Sequence, residues 1–153
     1  MAGNYLIRPA HSADSGALAR LEAACFPDPW SEDGFRELLD APGGLVLVAV
    51  DAREEVVGYL AVRRILDESE ILNLAVAPPW RRLGVGRALL QGALDDLRRH
   101  DVRKVFLEVR ESNLPAQRLY GGLGFRPIGQ RPNYYRSPCE NGLVLCLTLE
   151  GTA

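Results

Sequence analysis

The sequence is poor in histidine, cysteine and lysine, and it has no long uncharged run. Its 153 residues hold two histidines, His11 and His100, and three cysteines, Cys25, Cys139 and Cys146. These residues show no CxxC or Cys/His spacing, so no zinc centre is expected and no metal is assigned. A small, odd cysteine count excludes a disulfide framework and fits reduced thiols in a cytoplasmic protein. With two histidines as the available partners, the cysteines read as small core residues rather than nucleophiles. Seventeen of the eighteen basic residues are arginine, and the formal net charge is −2, which makes no case for a nucleic-acid or membrane footprint. No uncharged stretch approaches the roughly 20 residues of a membrane helix, and the first residues lack the apolar run of a signal peptide.

What is present is ordinary globular composition, with 47% hydrophobic and 25% charged residues. No repeat, linker or low-complexity tract divides the chain, so residues 1–153 are expected to form one domain. Asn4 to Arg8 is a short strand candidate stopped by Pro9. Ser12 and Asp14 open a helix that carries Leu18, Leu21 and Cys25 on one face. Phe26-Pro27-Asp28-Pro29-Trp30 holds two helix-breaking prolines and reads as a rigid aromatic loop. Ser31 caps a second helix that runs to about Asp40. Three strands follow as a meander: Leu45 to Val50, Val56 to Ile65, and Ile71 to Val76 after a turn at Asp67 to Ser69. The first of these is continuously apolar and should be buried on both faces.

Ile71 to Leu90 (ILNLAVAPPWRRLGVGRALL) organises the rest. An apolar strand stops at Pro78-Pro79, turns through Gly84-Val85-Gly86, and opens a helix with Leu90, Ala93, Leu94 and Leu97 on one face. Such a junction aims free backbone N–H groups and a helix dipole at one point, where an anion is the natural occupant. Arg81, Arg82 and Arg87 add positive charge there. A surface helix that merely begins at a glycine turn is the alternative, since the third glycine of a dinucleotide fingerprint and the Lys-Ser/Thr of a phosphate loop are both missing.

Val102 to Arg110 is a fifth strand, with Val105, Leu107 and Val109 on one face and Phe106 and Glu108 on the other. Ser112 or Asn113 caps a short helix with Pro115 in its first turn, closed by Gly121 and Gly122. Gly124-Phe125 starts a sixth strand. Pro132 to Pro138 reads as an irregular link, and Leu143 to Leu149 as the last strand. The order β-α-α-β-β-β-α-β-α-β-β predicts a mixed α/β fold. Its seven-stranded, mostly antiparallel sheet carries helices on both faces, and strands four and five are parallel neighbours.

Glu108 is out of place among apolar strand residues. A carboxylate without its hydration has a raised pKa, as a general base near neutral pH requires; the alternative is an ion pair with Arg110 or another arginine. Tyr120, in the last turn of the following helix, is either a proton donor or a core tyrosine packing on Leu123 and Phe125.

The segment AVAPPWRRLGVGRALL, followed by LEVRESNLPAQRLYGGLGF, resembles the GCN5-related N-acetyltransferase (GNAT) family, and the resemblance covers nearly the whole chain. FPDPWS at Phe26 to Ser31, LEVRESN at Leu107 to Asn113, LYGGLGF at Leu119 to Phe125 and RPNYY at Arg131 to Tyr135 resemble the RimI-type ribosomal-protein-alanine N-acetyltransferases. The resemblance implies a GNAT-like fold and transfer of acetyl from acetyl-CoA, as cosubstrate, to a protein N-terminus, most naturally the N-terminal alanine of a ribosomal protein. It implies Glu108 as proton acceptor and Tyr120 as proton donor. Leu74, Ala75 and Val76 would align the acyl arm. Arg82, Leu83, Gly84, Val85, Gly86 and Arg87 would hold the pyrophosphate, with Asn113 contacting the cofactor beyond it. Phe26, Trp30, Tyr134 and Tyr135 would line the acceptor groove. Pro132 stands where the motif often has arginine, and Glu111 where it has a small residue; both bear on peptide preference. The other readings of the same chain are an enzyme acetylating lysine or a small amine, and a non-catalytic acyl-CoA-binding domain.

Overall fold

Five buried residues in a row, Val46 to Val50, cannot belong to a strand with one wet face. In the computed structural model, which describes residues 4–136 and 138–149, they form the middle of β2 (Gly44–Asp51). Strand alternation divides them between two cores. Val46, Val48 and Val50 face Leu18 and Leu21 of α1 (Ser15–Cys25) and Phe35 of α2 (Glu32–Asp40). Leu47 and Ala49 face Leu89, Leu90 and Ala93 of α3 (Val85–Arg99) on the opposite side. The apolar stripes read from the two helical segments are the faces that meet the sheet.

The remaining elements are β1 (Tyr5–Pro9), β3 (Val56–Ile65), β4 (Glu68–Val76), β5 (Lys104–Arg110), α4 (Leu114–Gly122), β6 (Arg126–Tyr135) and β7 (Glu140–Thr148). They form one seven-stranded sheet in the order β1-β2-β3-β4-β5-β7-β6, with β4–β5 the parallel pair. Element order, the meander and the parallel crossover are as the sequence predicts. Among the described residues no helix is long and apolar enough to cross a membrane.

Several boundaries differ. Ser12–Asp14 is a 3-10 turn and α1 begins at Ser15; the Asp14 carboxylate accepts from the His11 backbone N–H at 2.7 Å. The β3–β4 turn is Leu66 and Asp67, so Glu68 and Ser69 belong to the strand, where Glu68 pairs with both Ile65 and Lys104. Their polarity mimics a turn, but sheet pairing on both sides overrides it. Gly121 and Gly122 stay helical, and the left-handed backbone falls on Gly124 at φ +100°. The largest correction concerns Pro132 to Pro138. Most of that segment is not a link: β6 runs through Pro132 to Tyr135, absorbing an irregularity between Arg131 and Tyr135 with Asn133 at φ +54°. An edge strand tolerates proline and a bulge because one of its sides has no ladder to interrupt. Ser137 lies outside the described residues.

Two irregularities prepare the site. The β3–β4 register skips Leu72, passing from Ala61↔Asn73 to Val62↔Ile71. Such a bulge twists and re-aims its strand. The parallel pairing of β4 with β5 then stops at Ile71↔Leu107, although β4 continues to Val76 and β5 to Arg110. The sheet therefore opens between two strands that are both still extended.

Leu89 is fully buried where α3 meets the sheet. Leu89→Ala should lower unfolding free energy by about 3 kcal/mol in urea titration with little change in m.

Candidate active site

Where β4 leaves β5, a cleft of about 660 Å³ opens. Its walls come from the α1–α2 loop, the centre of β4, the end of β5, α4 and the end of β6. Of the residues named from sequence, Phe26, Trp30, Leu74, Glu108, Asn113, Tyr120, Tyr134 and Tyr135 line it. Ala75, Val76 and Arg82 to Arg87 do not, but the glycine turn adjoins its rim: a Cβ on Gly86 would stand 3.9 Å from a methyl of Leu74.

Strand alternation aims Glu108 into the cleft while Leu107 and Val109 enter the core. Its side chain is 16% exposed, and Oε1 accepts from Arg131 Nη1 at 2.6 Å. The arginine partner allowed by the sequence reading is thus present, and it is Arg131; Arg110 instead pairs with Glu140 at 3.2 Å. Arg131 reaches Glu108 diagonally across β7, where Gly142 stands opposite Arg131 and Val144 opposite Glu108. A Cβ on Gly142 would meet the Tyr134 ring at 3.1 Å, so the missing side chain is what lets that ring lie across β7. Arg131 stacks over Tyr134 at 4.3 Å and Arg110 over Tyr135 at 4.6 Å. The Tyr134 phenol is raised from its ordinary pKa, first by its interaction with the Glu108 carboxylate and then by burial. Burial raises Tyr135 as well.

Tyr120 occupies the last turn of α4, 7% exposed, with its ring edge-on to Phe125 at 5.7 Å. It packs as a core tyrosine and also borders the cleft. Burial pushes its phenol up to about 12.

The glycine turn has the shape an anion cradle needs. Arg82 (φ +64°) and Gly84 (φ +84°) both adopt left-handed backbone, and Gly84 is the N-cap of α3. The first N–H groups of α3 therefore lack intrahelical partners and point outward. Arg81 is committed elsewhere, donating from Nε to the Val76 carbonyl at 2.9 Å. Ala77 N–H donates to Val57 on β3, so by alternation Ala75 also turns its N–H to β3, while those of Leu74 and Val76 face the edge that β5 has left. The Asn113 side chain accepts from Ala116 N–H at 3.1 Å and caps α4; Ser112 instead donates to Glu140.

Three residues of the site escape a reading of the sequence for chemistry. Arg131 on β6 and Gly142 on β7 are placed by strand pairing across the sheet. Glu22 is 1% exposed and lines the cleft floor. Its signal was a charge inside the stripe Leu18, Leu21, Cys25 of α1, four residues after Leu18 and so on the same face.

The acetyltransferase (GNAT) family matches over residues 16–125. The chain is 33% identical over 140 residues to the Escherichia coli (strain K12) protein named [ribosomal protein bS18]-alanine N-acetyltransferase, spanning 90% of this chain and 93% of that one. It is 32% identical over 145 residues, 86% of each chain, to an N-alpha-acetyltransferase of Sulfolobus acidocaldarius. The crystal structure of the ribosomal-protein-S18-alanine N-acetyltransferase from Escherichia coli superposes with a TM-score of 0.90 at 30% identity, covering 98% of this chain and 97% of that one.

The buried phenol gives a direct test of the site's dielectric. Because its folded pKa of about 12 lies above the ordinary 10.0, neutral Tyr120 stabilises the fold fully below pH 10 and loses that contribution as pH rises through 12. Ultraviolet difference titration of the parent against Tyr120→Phe should show the missing ionisation near pH 12, not near pH 10.

Proposed function

We propose, from the premise that this chain belongs to the acetyltransferase (GNAT) family, that it is a cytoplasmic enzyme acetylating the α-amine of a protein N-terminus with acetyl-CoA. The acceptor we propose is an N-terminal alanine of a ribosomal protein. The names of the relatives support that choice, and so does the cleft. The observation that carries the proposal is the parting of β4 from β5, which gathers Glu108, Tyr120 and the aromatic acceptor wall around one opening beside the glycine turn.

Acetyl-CoA supplies a thioester, a leaving thiolate and a diphosphate. The outward N–H groups of Gly84 to Arg87, with the guanidinium groups of Arg82 and Arg87, suit the diphosphate. The open edge of β4 suits an extended acyl arm, and the Val76 N–H suits the charge that develops on a carbonyl oxygen. Glu108 takes a proton from the acceptor's ammonium, directly or through water, so that the free amine attacks the thioester carbonyl and forms the C–N bond; as the C–S bond breaks, Tyr120 gives its proton to the departing sulfur. A phenol kept neutral by burial is a donor at every physiological pH.

The pKa of the acceptor argues for an α-amine. An N-terminal amine titrates near 8 and lysine near 10.4, so the free-base fractions at neutral pH differ by roughly two orders of magnitude. A single carboxylate then has less work to do.

Glu108→Gln and Tyr120→Phe should each lower kcat/KM for a short alanine-starting peptide by about a hundredfold or more, measured as CoA thiol release. Turnover within about threefold of the parent in both variants would remove the acid–base assignment. In competition, the same peptide with a blocked N-terminus and a free lysine should be a poor acceptor.

A further inference from the structure

Glu22 takes no part in the chemistry above, yet its carboxylate is among the most thoroughly engaged side chains in the molecule. From the last turn of α1, Oε2 accepts the Trp30 backbone N–H at 2.9 Å. Oε1 accepts the Tyr59 hydroxyl and the Asn73 carboxamide N–H, the latter at 2.8 Å. Asn73 in turn accepts the Leu74 backbone N–H at 3.1 Å through its own Oδ1. One hydrogen-bonded path therefore runs from the aromatic loop, through Glu22, to the open edge of β4. Aromatic packing runs parallel to it: Trp30 on Phe35 at 5.3 Å, then Phe35 edge-on to Tyr59 at 5.3 Å.

These two ends are the two reactant walls. Trp30 belongs to the loop lining the acceptor side of the cleft. Leu74 presents its N–H on the edge proposed for the acyl arm. Among the described residues no backbone hydrogen bond joins this loop to the sheet, so its distance from β4 is set by side chains. We propose that Glu22 is a positioning residue: it ties the acceptor loop to the acyl-donor strand and thereby fixes the approach of the amine to the thioester. This inference rests on the acetyl-transfer reading and adds to it the anchor of the acceptor wall.

The donor count makes the anchor testable. Glutamine at 22 offers one acceptor oxygen and one NH2 group to three incoming donors. If its oxygen faces Trp30, its NH2 meets the Asn73 NH2; if its oxygen faces Asn73, the Trp30 N–H is abandoned. Asn73→Asp in the same chain removes the conflict. The glutamine NH2 can then donate to Asp at 73 and to the Tyr59 oxygen, its carbonyl accepts from Trp30, and the second carboxylate oxygen still accepts from Leu74. The swap also conserves net charge. Asn73→Asp alone sets two carboxylates against each other.

Glu22→Gln should raise the acceptor-peptide KM about tenfold while the acetyl-CoA KM stays within about twofold. The Glu22→Gln, Asn73→Asp pair should return the peptide KM to within about threefold of the parent, a coupling far from additive. A merely structural role would move both KM values together, and that result, or a pair no better than the product of its single variants, overturns the proposal. Exchange of the Trp30 amide hydrogen, read by NMR, decides the anchor without turnover: it should quicken about tenfold in Glu22→Gln and slow again in the pair. Should the parent turn over no N-terminal peptide, the acetyl-transfer reading fails, while unchanged Trp30 exchange would overturn the anchor by itself. If Glu22→Gln does not fold, the pair decides: parent-like peptide KM and Trp30 exchange support the anchor, and a raised peptide KM or fast exchange overturns it.

Discussion

Everything in this protein follows from an unpaired stretch of backbone. Beyond Ile71 and Leu107, β4 and β5 remain extended but no longer bond to each other. Backbone N–H and C=O groups away from bulk water are costly without partners, so such a gap must be supported from its sides. The supports are visible. Arg81 takes the Val76 carbonyl, Asn73 takes the Leu74 N–H, and Gln117 of α4 donates to the carbonyls of Arg110 and Glu111 where β5 ends. The Leu72 bulge bends β4, and α3 and α4 cap the two separated strand ends. The cleft is what remains after these local obligations have been met, and an extended ligand would satisfy the rest as a strand does.

The same gap explains why distant segments converge. Residues 22 and 108 are far apart in sequence, and no local rule relates them. They line one cleft because α1 packs on the face of β3 and β4 while β5 parts from β4 on the other side of the opening. Each wall also has its own brace. The loop between α1 and α2 leans on Glu22 and on the Trp30–Phe35–Tyr59 aromatic row. Arg110, held by Glu140 and the carbonyls of Arg136 and Pro138, fixes the far wall at Tyr135.

Much of this was legible in the sequence because it is periodic or punctuated. Alternation marked which face of β5 carries Glu108; the i, i+3, i+4 stripe marked the buried face of α3; Ser31 and the pair Ser112-Asn113 announced helix starts, and the structure caps with Ser31 and, of the pair, Asn113. The failures in the sheet share one cause. Glu68 and Ser69 resemble a turn, and Pro132 with Asn133 resembles a link, but both segments are strands because neighbouring strands supply pairing that no local preference encodes. Arg131 as the partner of Glu108 was hidden for the same reason, since the contact reaches across β7 between strands whose pairing no local preference encodes.

That contact also bears on the acceptor. The carboxylate of Glu108 holds a guanidinium on one side and lies against a phenol on the other, within a half-enclosed cleft. A position that accepts one cation by charge and hydrogen bonding is suited to another of similar size, and an α-ammonium entering along the aromatic wall has that chemistry. Arg131 is itself largely exposed, on an edge strand, and stacked on Tyr134 rather than buried. Its departure costs the guanidinium little, but it leaves Glu108, only 16% exposed, without a counter-ion unless another cation takes its place. On the proposed acetyl-transfer reading, the arriving ammonium would be that replacement, and the surface position of Arg131 leaves it free to yield the place.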